Sequence, residues 1–283
     1  MIHRSPIRIA RDYNRGLAPP VRWAHICWAA TLGPAWKAAA WCFEPTRRSW
    51  AAPILLSGIF LPVLLPLDGA ISRSASGWVN THLGGDITRE IAAWQQYGGL
   101  PSVLVVALLV WILDPARARR LADLAAACLL NSVATTLLKV FFSRPRPKYG
   151  DSHFFAWPFG EYPILRSGEP RLITAMSPAA RAELWSMPSS HTSAAVALSV
   201  FVVALYPRLR PLCLVLVLVV AIGRTTLGVD PAHWPSDVLA GGCVGWFFGG
   251  LAVHHSLGTR VLDLLARRRE RRLGPAADPL TPA

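Results

Sequence analysis

The sequence predicts an all-α fold, a polytopic membrane bundle of about six transmembrane helices with an interfacial N-terminal helix. The first observation is composition: 53% of the 283 residues are hydrophobic and only 16% are charged, which is typical of a multi-spanning membrane protein. The second is a set of six apolar stretches long enough to cross a bilayer. They lie near residues 51–70, 97–113, 119–141, 190–206, 209–227 and 236–255.

The segment 21–43 differs from these six. It carries Trp23, Trp28, Trp36 and Trp41 together with charged residues and a proline, a composition that favours a helix lying in the membrane interface over a seventh span. We therefore expect residues 1–50 to form a cytoplasmic and interfacial segment, residues 51–255 a six-span core, and residues 256–283 a basic cytoplasmic tail whose end is disordered.

The third observation is the distribution of positive charge. The formal net charge of +13 would favour a nucleic-acid partner in a soluble protein, but the basic residues cluster at the chain ends and between apolar runs, which favours membrane topology and no nucleic acid. Basic residues are retained in short cytoplasmic segments, so both termini are predicted to be cytoplasmic. The predicted outer loop 142–189 departs from that rule with six Lys and Arg, and its length and aromatic residues indicate a functional element.

Five scattered cysteines show no paired spacing, and we expect neither a disulfide framework, nor a metal site, nor any other cofactor. Polar residues gather instead in three short clusters at the ends of apolar runs. Because consecutive spans alternate in direction, all three clusters are predicted to lie at one membrane face, the outer one. Their members are Lys139, Arg146 and Pro147 in the first cluster, Pro188, Ser189, Ser190 and His191 in the second, and Arg224, His233 and Asp237 in the third.

The residue types of these clusters suit chemistry on a phosphate. Lysine and arginine side chains bind phosphate oxygens, and serines at the start of a helix add hydroxyl and backbone donors. His233 and Asp237 are four residues apart, so a carboxylate can hold one ring nitrogen while the other attacks. His191 is then available as a proton donor.

The three clusters resemble the three motifs of the type 2 phosphatidic acid phosphatase (PAP2) family, whose core is shared with vanadium haloperoxidases. The family pattern is Lys, six residues, Arg-Pro; Pro-Ser-Gly-His; and Ser-Arg, five residues, His, three residues, Asp. The resemblance implies a metal-independent phosphatase with His233 as nucleophile, Asp237 as its orienter and His191 as general acid. It also implies that phosphate is bound by Lys139, Arg146, Ser189, Ser190 and Arg224.

The chain departs from the family pattern at three points. Ser190 stands in the place of the family's glycine, and Gly223 in the place of its serine. Eight residues rather than five separate Arg224 from His233, which in a continuous helix would shift Arg224 by about 4.5 Å. The segment 228–232 contains Gly and Pro, so we expect the excess to form a loop.

The predicted function is hydrolysis of a lipid phosphate or pyrophosphate through a phosphohistidine, at the outer face of a bacterial inner membrane. Family resemblance suggests four substrates: undecaprenyl pyrophosphate, phosphatidylglycerophosphate, phosphatidate or lipid A phosphate. A lipid phosphotransferase would use the same phosphohistidine, and a non-enzymatic lipid or anion carrier would also place arginines in a bundle. Individually, the basic residues also fit headgroup binding and the serines fit helix caps. The oligomeric state is left open.

Overall fold

The computed structural model describes residues 33–166, 169–227 and 231–273. Most of the predicted interfacial segment, including Trp23 and Trp28, lies outside these residues, as does the end of the tail from residue 274. The chain is mostly helical, which confirms the helical membrane class at that level. The helices are α1 Gly33–Phe43, α2 Ala51–Leu64, α3 Asp68–His82, α4 Gly85–Trp94, α5 Leu100–Leu113, α6 Leu121–Phe142, α7 Ala180–Glu183, α8 Ser190–Leu205, α9 Arg210–Thr226, α10 Pro235–His254 and α11 Leu257–Leu273.

Among the described residues, four helical stretches are long and apolar enough to cross a membrane: Ala51–His82, Pro115–Tyr149, Pro207–Thr226 and Pro235–Arg272. Two of the six predicted spans correspond to shorter apolar helices, α5 and α8, so the count of six stays a prediction. Large apolar side chains such as Leu108 on α5 and Leu218 on α9 are exposed, as expected of surfaces that face lipid.

The region near residues 71–96, which joins the first two predicted spans, is largely helical. Helix α3 continues from α2 through a short 3₁₀ turn at Leu65–Leu67, and α4 follows after a break at Leu83 and Gly84. The hydropathy of the sequence places the end of the first span near residue 70 because α3 is rich in Ser and Gly. Its buried face is nevertheless packed, and it includes the fully buried Asp68.

The described part of the long segment 142–189 folds around a small hydrophobic core of its own. Strands β1 Glu161–Arg166 and β2 Glu169–Thr174 pair as an antiparallel hairpin, with Tyr162 opposite Ile173. These two residues pack with Ile164 and Leu184. The hairpin is the part of the fold that an all-helical expectation omits.

Helix α10 packs on α8 through a row of glycines. Gly241, Gly245 and Gly249 are spaced four residues apart and therefore share one face of α10. A Cβ on Gly245 would lie 2.1 Å from the carbonyl oxygen of Ser193, and a Cβ on Gly241 would lie 2.4 Å from that of Ser189. Small residues at this spacing allow the backbones of two membrane helices to approach closely. This contact sets the position of the N-terminus of α8 relative to that of α10.

We expect Gly245→Ala to destabilise the protein by about 1–3 kcal/mol, because the added methyl group has no space against α8. Gly242→Ala is the matched control, since the nearest atom to its Cβ would be 3.9 Å away, and helix propensity makes it neutral or stabilising. Thermal unfolding in detergent measures both. Equal unfolding temperatures for the two variants would contradict the tight helix contact.

Candidate active site

Four helix ends meet where the sequence predicts a site. Lys139 lies in the last turn of α6, Ser189 precedes α8, Arg224 lies in the last turn of α9 and Asp237 lies in the first turn of α10. Two backbone hydrogen bonds join the starts of α8 and α10 and the end of α9. Ser189 N–H donates to the Asp237 carbonyl at 2.9 Å, and His233 N–H donates to the Arg224 carbonyl at 3.1 Å. Arg146 of the first cluster reaches the same place, since its Nη1 donates to the carbonyl of Ala232, next to His233.

The His233 ring has a defined orientation and protonation. Its Nδ1 lies 2.8 Å from the carbonyl oxygen of Ser186, and a carbonyl only accepts, so Nδ1 carries the proton and Nε2 carries the lone pair. Burial lowers the pKa of His233 to about 3. The ring is therefore neutral near pH 7, as a nucleophile requires.

Asp237 acts on His233 less directly than the four-residue spacing suggested. Its Oδ2 is 3.8 Å from His233 Nδ1, too far for a hydrogen bond, and Nδ1–H donates to the Ser186 carbonyl instead. The same Oδ2 accepts from Ser186 Oγ at 2.5 Å and from Trp234 N–H at 2.9 Å. Asp237 thus positions Ser186, the residue that orients the ring, and places a negative charge beside it.

Arg144 is the largest fully buried side chain at this end of the bundle. Its Nη1 donates to Asp237 Oδ1 and Ser236 Oγ, each at 2.7 Å. Its Nη2 donates to Asp68 Oδ2 at 2.7 Å and to the Ser152 carbonyl. Planar guanidinium groups suit this fork of contacts. One side chain therefore links α3, the 142–189 segment and the N-terminus of α10.

Local backbone geometry turns Arg144 inward. Ser143 ends α6 in the left-handed region, with φ of 42°, and two of the next four residues are proline, which prevents the helix from continuing. The Arg144 carbonyl then accepts from Ser186 N–H at 3.2 Å. Arg144 is thus connected to both Ser186 and Asp237, which lie beside His233 Nδ1.

The predicted cationic phosphate ligands lie together, with Lys139 buried and Arg146 and Arg224 half-buried. Lys139 Nζ donates to the Trp185 carbonyl at 2.6 Å, and Arg146 Nη1 donates to the Ala232 carbonyl at 2.9 Å. Within the described residues, the Nε atoms of Arg146 and Arg224 are buried and have no hydrogen-bond partner. Buried N–H groups need acceptors, and three neighbouring cations favour an anion.

The second cluster lies beside this group. Ser189 is fully buried and precedes the first turn of α8, and its hydroxyl accepts from Thr192 at 3.1 Å. Ser190 is exposed, and His191 is half-buried within electrostatic range of Lys139, Arg146 and Arg224. No side-chain cap is found at Ser189 in the described structure, so the first backbone N–H groups of α8 are available to a ligand.

The three extra residues between Arg224 and His233 do not separate these two. Helix α9 ends at Thr226 and α10 begins at Pro235, while residues 228–230, where the loop was expected, lie outside the described residues. The 3.1 Å bond from His233 N–H to the Arg224 carbonyl spans the interval. Arg224 is therefore not shifted by the roughly 4.5 Å that a continuous helix over this interval would require.

Three contributors to the site were missed by sequence reasoning. Arg144 resembles any other basic residue of a membrane flank, and Asp68 resembles a polar boundary of the first span. Ser186 contributes a backbone oxygen, which no residue pattern reports. Asp68 itself could have indicated the network, because a carboxylate at the end of an apolar helix is costly unless it is paired.

In the part of the chain that the structure describes, no cluster of three or more His, Cys, Asp or Glu is arranged to hold a metal ion.

The sequence profile of the PAP2 superfamily matches residues 120–259. This segment of the chain belongs to the PAP2 superfamily. The PAP2 segment contains all eight predicted site residues, whereas Asp68 lies outside it.

Two solved structures resemble the chain beyond its PAP2 segment. A crystal structure of Aquifex aeolicus LpxE aligns with a TM-score of 0.47 and 17% identity, covering 66% of this chain and 95% of that one. A crystal structure of a transmembrane PAP2 type phosphatidylglycerolphosphate phosphatase from Bacillus subtilis aligns with a TM-score of 0.44 and 18% identity, covering 72% and 95%. A search of curated proteins finds no match to the chain.

Replacing Arg144 by methionine should destabilise the protein by about 3–5 kcal/mol, because two buried carboxylates lose their shared cation. Arg146→Met is the matched control two residues away, since among the described residues Arg146 makes no ion pair. Adding Asp68→Asn to Arg144→Met should recover part of the loss. Thermal unfolding in detergent tests this, and equal losses for Arg144→Met and Arg146→Met would contradict the network.

The buried neutral His233 should make stability depend on pH. An unfolded histidine binds a proton below a pKa of about 6.5, whereas folded His233 stays neutral down to about 3. The unfolded state therefore binds more protons in this interval, and stability falls as pH falls. The contribution is about 1.4 kcal/mol between about pH 7.5 and 5.5.

Comparison of the wild type with His233→Asn isolates this term from other titrating groups. The unfolding temperature of the wild type should drop further on acidification than that of the variant. An identical drop in both would show that His233 takes up a proton in the folded protein.

Proposed function

We propose that the protein is a membrane phosphatase that hydrolyses a lipid phosphate or pyrophosphate through a phosphohistidine on His233. One observation carries the proposal: a neutral histidine with its lone pair on Nε2 lies within electrostatic range of Lys139 and Arg146, and the Nε atoms of Arg146 and Arg224 are buried without a partner among the described residues. A cationic pocket next to a neutral nucleophile suits attack on phosphorus. PAP2 membership supports the same reaction class.

In the first step His233 Nε2 attacks phosphorus, the bond to the leaving oxygen breaks, and His191 donates a proton to that oxygen. Attack places positive charge on the imidazole ring. The ionised Asp237, with Oδ2 at 3.8 Å from Nδ1, stabilises this charge. The Nδ1–H group donates its hydrogen bond to the Ser186 carbonyl throughout the step.

In the second step water attacks the phosphohistidine, the N–P bond breaks, and His191 accepts the proton from the water. Lys139, Arg146 and Arg224 bind the non-bridging phosphate oxygens, together with Ser189 and Ser190 at the start of α8. These cations supply the charge that a divalent metal supplies in other phosphatases, and we propose a metal-independent reaction on that basis.

The position of the site at helix ends supports a lipid substrate. A headgroup can enter at the interface while its chains stay among apolar helices. From the distribution of basic residues we further propose that both termini are cytoplasmic and that the site faces outward across a bacterial inner membrane. The core then extends over residues 51–255, with residues 1–50 and 256–283 on the cytoplasmic side.

The test is phosphate release by the purified protein in mixed micelles, in excess EDTA, from the four candidate lipids: undecaprenyl pyrophosphate, phosphatidylglycerophosphate, phosphatidate and lipid A phosphate. At least one should be hydrolysed. His233→Ala should abolish both release and an acid-labile phosphoenzyme, whereas His191→Ala should reduce kcat by about 10²- to 10⁴-fold.

Lys148→Ala is the control, because Lys148 is a basic residue of the same segment that pairs with Glu183 rather than with the proposed phosphate ligands. Its activity should stay near that of the wild type. Near-normal turnover by a folded His233→Ala protein would refute the nucleophile. Transfer of phosphate to an added acceptor lipid without release of free phosphate would identify a phosphotransferase instead.

A further inference from the structure

Helix α11 carries exposed apolar side chains at the end of the bundle opposite the candidate active site. Helix α10 has 20 residues and is therefore about 30 Å long, which matches the thickness of the hydrocarbon core. Its first turn lies at the site, so α11, which begins at Leu257, lies at the other membrane face. Four of its apolar side chains are 42% to 57% exposed: Val261, Leu262, Leu264 and Leu265. Such a surface is unfavourable in water.

The start of α11 is packed against the start of α6. Ser256 has a φ of 52°, in the left-handed region, and it interrupts the helical geometry between α10 and α11. A Cβ on Gly258 would lie 1.9 Å from the Ala122 carbonyl oxygen, so the two backbones are in contact there. Leu257 packs on the main hydrophobic core. The first turn of α11 therefore belongs to the folded bundle.

A buried carboxylate fixes this first turn. Asp123 is fully buried, and it accepts from Thr259 N–H and from Thr259 Oγ1, each at 2.9 Å. It also pairs with Arg120 Nε at 3.1 Å. Arg120 in turn donates to Ser256 Oγ at 2.6 Å and to the Val253 carbonyl at 2.7 Å. These contacts hold α11 at the level where α6 begins, which is the level of the membrane interface.

The charge of α11 is strongly positive. The helix has two acidic residues, and one of them, Asp263, already pairs with Arg119. Six arginines are spread over the helix: Arg260, Arg267, Arg268, Arg269, Arg271 and Arg272. Exposed apolar residues combined with this excess of arginine are typical of helices that lie on anionic membranes. The same excess opposes pairing with the α11 of a second copy, because like charges would meet.

The order of apolar and basic residues along α11 fits a position on lipid. Val261, Leu264, Leu265 and Arg268 are three or four residues apart and therefore share one face of the helix. An arginine can lay its aliphatic stem along an apolar surface while its guanidinium reaches phosphate groups. Arg268 is therefore compatible with a face that enters lipid.

We propose that α11 lies on the membrane surface opposite the candidate active site and binds the head groups of anionic phospholipids. Val261, Leu264 and Leu265 enter the boundary between head groups and acyl chains, and the arginines contact the lipid phosphates. These lipids are not substrates, and the inference is independent of the proposed phosphatase function.

A fluorescent probe on α11 of the full chain, in nanodiscs that hold one protein each, tests this position. The five native cysteines are replaced by alanine, and the probe is attached at Leu264→Cys or, in a second protein, at Ala266→Cys. Ala266 is the matched control, because it lies two residues on and about 200° round the helix. In nanodiscs that contain phosphatidylglycerol, aqueous acrylamide should quench the probe at residue 264 at least about threefold less than at residue 266. The difference should shrink in phosphatidylcholine alone.

Paired arginine variants test the contribution of charge. An arginine near an anionic surface strengthens binding by about fivefold, so Arg268→Gln with Arg269→Gln should lower the ratio of bound to free α11 by about 25-fold. Arg208→Gln with Arg210→Gln is the control, which removes the same charge at the turn between α8 and α9, on the same membrane face. In the described structure neither pair makes a side-chain hydrogen bond or an ion pair, and the unfolding temperatures should be unchanged.

Equal quenching at residues 264 and 266 in the phosphatidylglycerol nanodiscs would overturn the inference, as would a difference of the same size in phosphatidylcholine alone. Protection of residue 264 that grows with protein concentration in detergent would also overturn it and show that a second copy covers this face. An equally large effect of the Arg208 and Arg210 variant would assign the result to general surface charge and reject a specific role of α11. None of these measurements uses turnover, so their outcome leaves the proposed phosphatase untouched.

Discussion

The buried contact of Arg144 with Asp68 and Asp237 is the interaction on which the active end of the bundle depends. Each group would be costly to bury alone, and the guanidinium satisfies both carboxylates at once. The contact fixes α3 and the 142–189 segment to the start of α10. Ser186 is held by the same network, and Ser186 sets the tautomer of His233. The orientation of the His233 ring therefore depends on the ion pair of Arg144 with Asp237.

The packing of α8 against α10 supplies the second constraint. Glycines at residues 241, 245 and 249 let the two backbones meet, which brings the N-terminus of α8 to the N-terminus of α10. The first backbone N–H groups of α8, at the positive end of its dipole, then lie where negative charge is expected. The start of α10 is already capped, since Ser236 N–H donates to Asp68 and Trp234 N–H to Asp237. The apolar surfaces that remain available to lipid lie on other helices, such as α5 with Leu108 and α9 with Leu218. Polar chemistry and a lipid-facing surface thus coexist because the first is confined to helix ends.

The sequence predicted the helix ends and the polar residues at them, because apolar length and residue type are local properties. Lys139, Arg224 and Asp237 lie at those ends as expected, while their chemical roles stay predictions. Local patterns did not predict the pairing of Asp68 with a residue 76 positions away, nor a carbonyl as the partner of His233. The hairpin was not predicted, because the length and aromatic residues of the segment 142–189 indicated a functional loop and its strands are short. The glycine row was visible at its four-residue spacing, but its partner helix was not.

The hydrogen bond from His233 N–H to the Arg224 carbonyl bears on how such sites are found. It closes the chain on itself, so the length of the intervening loop is free to vary without moving either residue. A pattern search that counts positions between arginine and histidine would pass over this chain, since its interval is longer than the family pattern. A search by three-dimensional arrangement of the arginine carbonyl and the histidine N–H would retrieve it. Such a search would also retrieve other chains in which the loop has a different length but the two atoms keep their hydrogen bond.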